Sequence, residues 1–141
     1  MILLGVTGSI AAYKAVEILR LFIKAGEDVH VVLTPAATAF VGPLTFQAIS
    51  GHPVFLDTLD PKTYQMAHLA LAEKASVVLV APAMHESMWL HPATQTNVKT
   101  LKSFGYRFIG PDKGPLGRAG DEGIGRMTEP SAIVQHILRA R

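Results

Sequence analysis

Ile2-Leu-Leu-Gly-Val-Thr-Gly-Ser-Ile-Ala-Ala-Tyr-Lys-Ala-Val-Glu-Ile-Leu-Arg-Leu-Phe-Ile-Lys-Ala-Gly26 contains a strand, a glycine turn and a helix in one run. Ile2 to Val6 is a short apolar stretch of the kind that is buried on both faces of a parallel sheet. Thr7-Gly8-Ser9 reads as a tight turn in which Ser9 can cap the helix after it. From Ile10 to Ala25, Ala15, Ile18, Leu19 and Phe22 fall at helical spacing and make one apolar face. Gly26 then ends the helix as a C′ glycine.

The same alternation continues outward. Val29 to Leu33 predicts a second buried strand, closing on Thr34-Pro35. Thr38 to Ser50 predicts a helix, with Gly51 as its terminator, and Val54 to Leu56 a short third strand. Asp60-Pro61 starts a turn or a helical stretch reaching Lys74, and Val77 to Val80 predicts a fourth strand. Pro92 to Phe104 reads as a helix stopped by Gly105, and Tyr106 to Ile109 as the last strand. Asp112 to Gly125 reads as a Gly-rich loop, and Pro130 to Leu138 as a closing helix. Strands alternating with helices imply an α/β chain with a parallel sheet covered on both faces. The expected architecture is a Rossmann-like, three-layer, doubly wound sheet, one domain over 1–141.

The totals narrow the function. Hydrophobic residues make 49% of the chain and charged ones 17%, so some apolar surface is expected to be covered by another subunit. Net charge is +2, with Lys99, Lys102 and Arg107 spread out and no aromatic-interleaved basic patch, which argues against nucleic acid. With no cysteine, disulfides, thiolate metal sites and a cysteine nucleophile are excluded, and no metal is expected. The opening Met-Ile-Leu-Leu-Gly-Val lacks a basic region and reads as a first strand, not a leader. No apolar run approaches a membrane span, and a cytoplasmic setting is the default expectation.

Five stretches can carry chemistry. In Gly5-Val-Thr-Gly-Ser-Ile-Ala-Ala12, a strand hands over to a helix N-terminus, whose N–H groups and dipole suit a phosphate. The alternative is a plain turn with Ser9 as cap. Ile10 stands where the dinucleotide fingerprint has its third glycine, strand two ends in Thr34 and not an acid, and no Gly-Lys-Ser/Thr is present. A mononucleotide phosphate therefore fits better than NAD or ATP. Thr34 lies at the next strand end, where its hydroxyl can reach the same phosphate, and Phe40 belongs either beside a flavin ring or in the core. His68, before an apolar stretch, is either a proton-transfer group or a structural histidine, and His30, His52, His91 and His136 read as structural. Val80-Ala-Pro-Ala-Met-His-Glu-Ser-Met-Trp89 is a strand that stops and yields to polar side chains, where open α/β sheets keep their sites. Gly120-Asp-Glu-Gly-Ile-Gly-Arg-Met127 is either a mobile loop that closes over a site or a simple connection.

Together these stretches resemble the flavin-containing cysteine decarboxylases, and within them the branch acting on phosphopantothenoylcysteine in coenzyme A biosynthesis. The resemblance also includes Phe40-Val-Gly-Pro-Leu-Thr-Phe-Gln-Ala-Ile-Ser-Gly51, His68-Leu-Ala-Leu-Ala72 and Pro92-Ala-Thr-Gln95, and it runs in order along nearly the whole chain. It implies FMN as cofactor and a homo-oligomer, a trimer or a multiple of one. It implies that FMN oxidises the cysteine-derived thiol to a thioaldehyde, from which CO2 leaves, before the product is returned to a thiol. By resemblance, Gly8, Ser9, Ile10, Thr34, Phe40 and Ala83 bind the cofactor. His68 and His85 are catalytic, and Met84, Met88 and Arg126 bind the thiol-acid substrate.

The chain departs from the family in three places. His85 replaces the Asn that handles the substrate carboxylate. Ala119 replaces the cysteine that serves that branch as proton donor. Ala83 runs straight into Met84 where about thirty residues, one crossover unit, are expected. Two other functions stay open on this scaffold: a non-catalytic structural or regulatory subunit, and an FMN-binding oxidoreductase.

Overall fold

A computed structural model of the chain describes residues 1–56 and 78–140, which belong to two compact units. In the first, β1 (Ile2–Val6) pairs in parallel with β2 (Val29–Leu33), Ile2 opposite Val29 and Val6 opposite Leu33. Between them runs α1 (Ala12–Lys24), which buries Ala15, Ile18, Leu19 and Phe22 as its spacing predicts. Leu19, Phe22 and Val29 are wholly buried, so one α1 face against the sheet makes this core. Leu3, 38% exposed, is an open position where the apolar run predicts cover.

Helix α1 starts two residues later than the apolar pattern suggests. Ser9 is not its N-cap. The Ser9 hydroxyl accepts from Ala11 N–H at 3.2 Å, shaping the turn, and Ala11 caps with no side-chain bond. The C-terminus is as read: Gly26, at φ +80°, lets Gly26 N–H reach Ile23 O and Glu27 N–H reach Phe22 O.

The single helix expected over Thr38–Ser50 is two pieces, α2 (Pro35–Thr38) and α3 (Pro43–Ser50). Gly42 adopts an extended conformation and Pro43 restarts the helix at its first turn, so the break lies at the Gly-Pro pair. Gly51, at φ +73°, ends α3. The third strand is reduced to a parallel bridge at Phe55, which bonds Val31 O and Leu33 N at 2.9 Å each. Phe46 of α3 is fully buried.

In the second unit, β3 (Leu79–Val80) pairs in parallel with β4 (Arg107–Phe108), both shorter than the apolar runs suggest. Helices α4 (Glu86–Trp89) and α5 (Pro92–Ser103) connect them, and Gly105 repeats the α1 ending, with Tyr106 N–H on Leu101 O. The Gly-rich stretch is not a loop. It is an antiparallel hairpin of β5 (Asp112–Pro115) and β6 (Glu122–Arg126). Arg107–Phe108 is therefore not the last strand. Helix α6 (Pro130–Arg139) comes next, burying Ile133 and Val134. The expected Asp60–Lys74 stretch lies outside the described residues.

Candidate functional site

The ends of β1 and β2 are tied together. Thr34 N–H donates to Val6 O at 3.0 Å, and the turns beyond the two strands meet. A Cβ on Gly8 would stand 2.6 Å from Ala36 Cβ and 3.1 Å from its carbonyl carbon. Gly8 therefore admits the α2 backbone beside the first turn, so its small size serves packing within the chain.

Two hydroxyls stand at these ends. Thr34 is the N-cap of α2, its Oγ1 accepting from Ala37 N–H at 3.3 Å, and Ser9 accepts from Ala11 N–H. In both bonds the side-chain oxygen is the acceptor, so each side chain keeps its O–H to donate. A phosphate needs such donors. Around them stand exposed apolar groups, Ile10 at 64% and Phe40 at 50%. Phe40 is thus exposed and not part of the core.

In the second unit, Ala83 and Met84 lie at the end of β3, and the hairpin lies against them. Met84 N–H donates to Gly125 O at 2.9 Å. A Cβ on Gly125 would collide with the Met84 carbonyl, and one on Gly123 would stand 2.8–3.0 Å from the Glu86 carboxyl group. Glu86 Oε1 accepts from Ile124 N–H at 2.9 Å. Gly123 and Gly125, two apart on a strand, share the face turned to this segment.

His85 is the N-cap of α4. Its Nδ1 accepts from Ser87 N–H at 3.2 Å and lies 2.8 Å from Ser87 Oγ. That leaves the neutral ring's proton on Nε2, which lies 3.8 Å from Asp121 Oδ2. His85 is thus an oriented, solvent-facing donor that already faces one carboxylate. Met88 is exposed, and Arg126 pairs with Glu129 while covering Gly114. Ala119 stands in the hairpin tip and helps line a hollow of about 480 Å³ within it.

The structure thus brings Gly8, Ser9, Ile10 and Thr34 to neighbouring strand ends in the first unit. It gathers Ala83, Met84, His85 and Arg126 around the hairpin in the second. His68 lies outside the described residues. Glu86, Ser87 and Asp121 fall inside the stretches 80–89 and 120–127, but nothing there assigns them a role. The paired Gly123 and Gly125 were the available signal, since a strand face without side chains implies a close neighbour.

The flavoprotein family model matches residues 1–83 and 65–141, two pieces that overlap. The chain belongs to the flavoprotein family. It is 39% identical over 166 positions to the coenzyme A biosynthesis bifunctional protein CoaBC of Haemophilus influenzae, covering 94% of this chain and 41% of that protein. The CoaBC of Escherichia coli is 37% identical over 167 positions, with 94% and 41% covered. The chain thus spans about two-fifths of the length of these curated relatives. In the Haemophilus comparison, 94% of 141 residues is about 133, so about 33 of the 166 positions face no residue here, about one crossover unit in length.

Among solved structures, a mutant PPC decarboxylase complexed with pantothenoylaminoethenethiol matches with TM-score 0.81 and 25% identity, covering 99% of this chain and 96% of that one. The FMN binding protein AtHal3 matches with TM-score 0.78 and 24% identity, with 99% and 95% covered. The flavoprotein chain therefore has the Rossmann-like α/β fold that its alternating strands and helices predict.

Proposed function

We propose that this flavoprotein chain binds FMN and decarboxylates a cysteine-derived thiol acid, with phosphopantothenoylcysteine as the substrate to test first. The observation that carries the reading is the pair of joined strand ends, where Ser9 and Thr34 each hold a hydroxyl proton beside exposed Ile10 and Phe40. That donor set fits a phosphate next to an apolar ring. The likeness to CoaBC and to PPC decarboxylase supports the substrate class.

When bound, FMN supplies a two-electron acceptor for the thiol-bearing end of the substrate. The chain's own groups bind and orient. Gly8, Ser9, Ile10, Thr34, Phe40 and Ala83 hold the cofactor, and Met84, Met88 and Arg126 form the substrate wall. His85 offers Nε2–H to a carboxylate, and His68 moves the proton. One crossover unit is absent between Ala83 and Met84, and the total of about 33 unmatched positions in the Haemophilus comparison agrees with that length. The exposed apolar groups support a homo-oligomer; the family resemblance makes it a trimer or a multiple of one, working in the cytoplasm.

The test is a visible spectrum of the purified protein, then CO2 release from phosphopantothenoylcysteine. Flavin bands released as FMN on denaturation, with CO2 formed, are expected. A colourless protein that ignores added FMN overturns the reading. Ala119 and the gap favour a second reading, a non-catalytic structural or regulatory subunit of the family, for which weak or absent FMN binding and no CO2 release are the expected result.

A further inference from the structure

Asp28, His30 and His52 meet at the other end of β2 from Thr34. Four residues of strand separate His30 from Thr34, about 13 Å. His30 is on β2 itself, Asp28 just before it, and His52 just after Gly51. His52 Nε2 lies 2.9 Å from Asp28 Oδ1, and His30 Nε2 lies 3.6 Å from Asp28 Oδ2. The two imidazoles stack, with centroids 4.3 Å apart and planes 18° apart. One ligand atom from each residue lies within 4.8 Å of the others.

We propose that Asp28, His30 and His52 form a binding site for a divalent transition-metal ion of the zinc class.

The geometry is close to what such an ion needs. Zinc–nitrogen bonds of about 2.0–2.1 Å in a tetrahedron place ligand atoms about 3.3 Å apart. His52 Nε2 lies 2.9 Å from one Asp28 carboxylate oxygen and His30 Nε2 3.6 Å from the other, and one ligand atom from each residue lies within 4.8 Å of the others, so a small side-chain shift brings the three donors onto one ion. The two rings stand nearly parallel, so one must turn for both nitrogens to face a single ion, and the partly exposed His52 side chain is free to do so. Two neutral imidazoles and one carboxylate are a borderline donor set that suits Zn²⁺ and its neighbours better than Mg²⁺ or Ca²⁺. Binding needs a carboxylate oxygen, which Asp28 presents beside both imidazoles.

The backbone presets the ligands. Asp28 O accepts from Ile2 N–H at 2.7 Å, His30 sits in the β1–β2 register opposite Leu3, and His52 N–H donates to Ser50 Oγ at 3.1 Å. A dication satisfies both nitrogens and the carboxylate at once. Three protein ligands leave a fourth position for water. Bound there, the ion would join the start of β2 to the turn after α3.

The test is calorimetric titration of the untagged, chelator-treated full chain with ZnCl2, beside MgCl2. One Zn²⁺ per chain and no response to Mg²⁺ are expected. His30→Gln and His52→Gln should each weaken binding at least about tenfold, while His91→Gln and His136→Gln leave it unchanged. As an independent readout, Co²⁺ should give tetrahedral visible bands that Asp28→Asn diminishes, with circular dichroism verifying that each variant is folded. No heat with ZnCl2, undiminished binding in the His30→Gln/His52→Gln double variant, or loss only in His85→Gln would overturn the proposal. None of these readouts depends on FMN or on decarboxylation.

Discussion

Glu86 accepts a hydrogen bond from the backbone N–H of Ile124 at 2.9 Å, across 38 residues of sequence. The bond exists because Gly123 has no side chain where the Glu86 carboxyl group lies. Gly125 likewise lets the Met84 carbonyl approach, and Met84 N–H closes the contact on Gly125 O. Three backbone or side-chain requirements thus fix one object, a hairpin held against the segment that carries His85.

Removing the Glu86 carboxylate should loosen the hairpin. A hydrogen bond to a charged group is worth about 1.5–3 kcal/mol, and solvent exposure brings this one below that range. Glu86→Ala should lower unfolding stability by about 1 kcal/mol and speed hydrogen exchange at Ile124. Gly125→Ala should be worse, by about 1–3 kcal/mol, because the added methyl meets a backbone carbonyl that cannot move aside. Urea unfolding of the two variants, with exchange measured at Ile124, decides between these outcomes. Unchanged protection at Ile124 in Glu86→Ala would refute the docking role.

The first turn makes a parallel case. Gly8→Ala places a methyl 2.6 Å from Ala36 Cβ, so the two strand-end turns must separate. FMN affinity should fall together with stability. Ala36→Gly in the same chain removes one of the colliding atoms but leaves the Ala36 carbonyl carbon at 3.1 Å. The double variant should therefore recover stability in part. Full recovery, or none, would show that the turns are not coupled as the contact implies.

Much of the first unit was legible because its signals are local. Ala15, Ile18, Leu19 and Phe22 announce their helix by spacing, and Gly26 announces its end. The hairpin was not legible. Asp112–Pro115 and Glu122–Arg126 hold glycine, proline and charge without apolar alternation, and what fixes their place is Glu86, far along the chain. The same holds for His30 and His52, which look like ordinary histidines until the pairing of Phe55 with β2 brings residue 52 to Asp28. Of the candidate site, the residue types at the strand ends were readable. Ser87, which orients His85, and Asp121, the carboxylate its ring faces, were not, since one depends on cap geometry and the other on the hairpin.

Thr34 separates a structural role from a binding role. As N-cap of α2 it contributes about 1 kcal/mol, and Asp caps about as well. Thr34→Asp should hold the melting temperature near that of the parent while weakening FMN at least about tenfold, because a carboxylate faces the phosphate. Thr34→Ala should lose on both counts. Flavin fluorescence titration beside thermal unfolding reads the two effects apart. Equal FMN affinity in Thr34→Asp would remove Thr34 from the cofactor site.

His85 is tuned by Asp121. With Nδ1 committed to Ser87, Nε2 is the nitrogen that can meet a substrate carboxylate, and Asp121 lies 3.8 Å from it. Asp121→Asn removes the competing charge. It should lower KM for a carboxylate substrate with little change in kcat, since the ring orientation survives through Ser87. His85→Asn keeps a side chain able to cap α4 and should keep the fold. A KM unmoved by both variants would take His85 out of substrate binding.

Asp28 gives a pH signature. The His52 hydrogen bond, opposed by desolvation and helped by the charge of His30, holds its carboxyl below the ordinary value of 3.8. A depressed folded-state pKa stabilises above the unfolded value, and that stability is lost as pH falls through the lower folded value. The pair is exposed, so the amount is modest, at most about 1 kcal/mol. In His52→Gln the carboxyl should return toward 3.8, and the acid limb of the stability curve should lose its Asp28 component below that pH. Carboxyl-resonance titration by NMR in both chains, read against acid unfolding, tests this directly. An Asp28 resonance that titrates identically with and without His52 would show that the hydrogen bond does not set its charge.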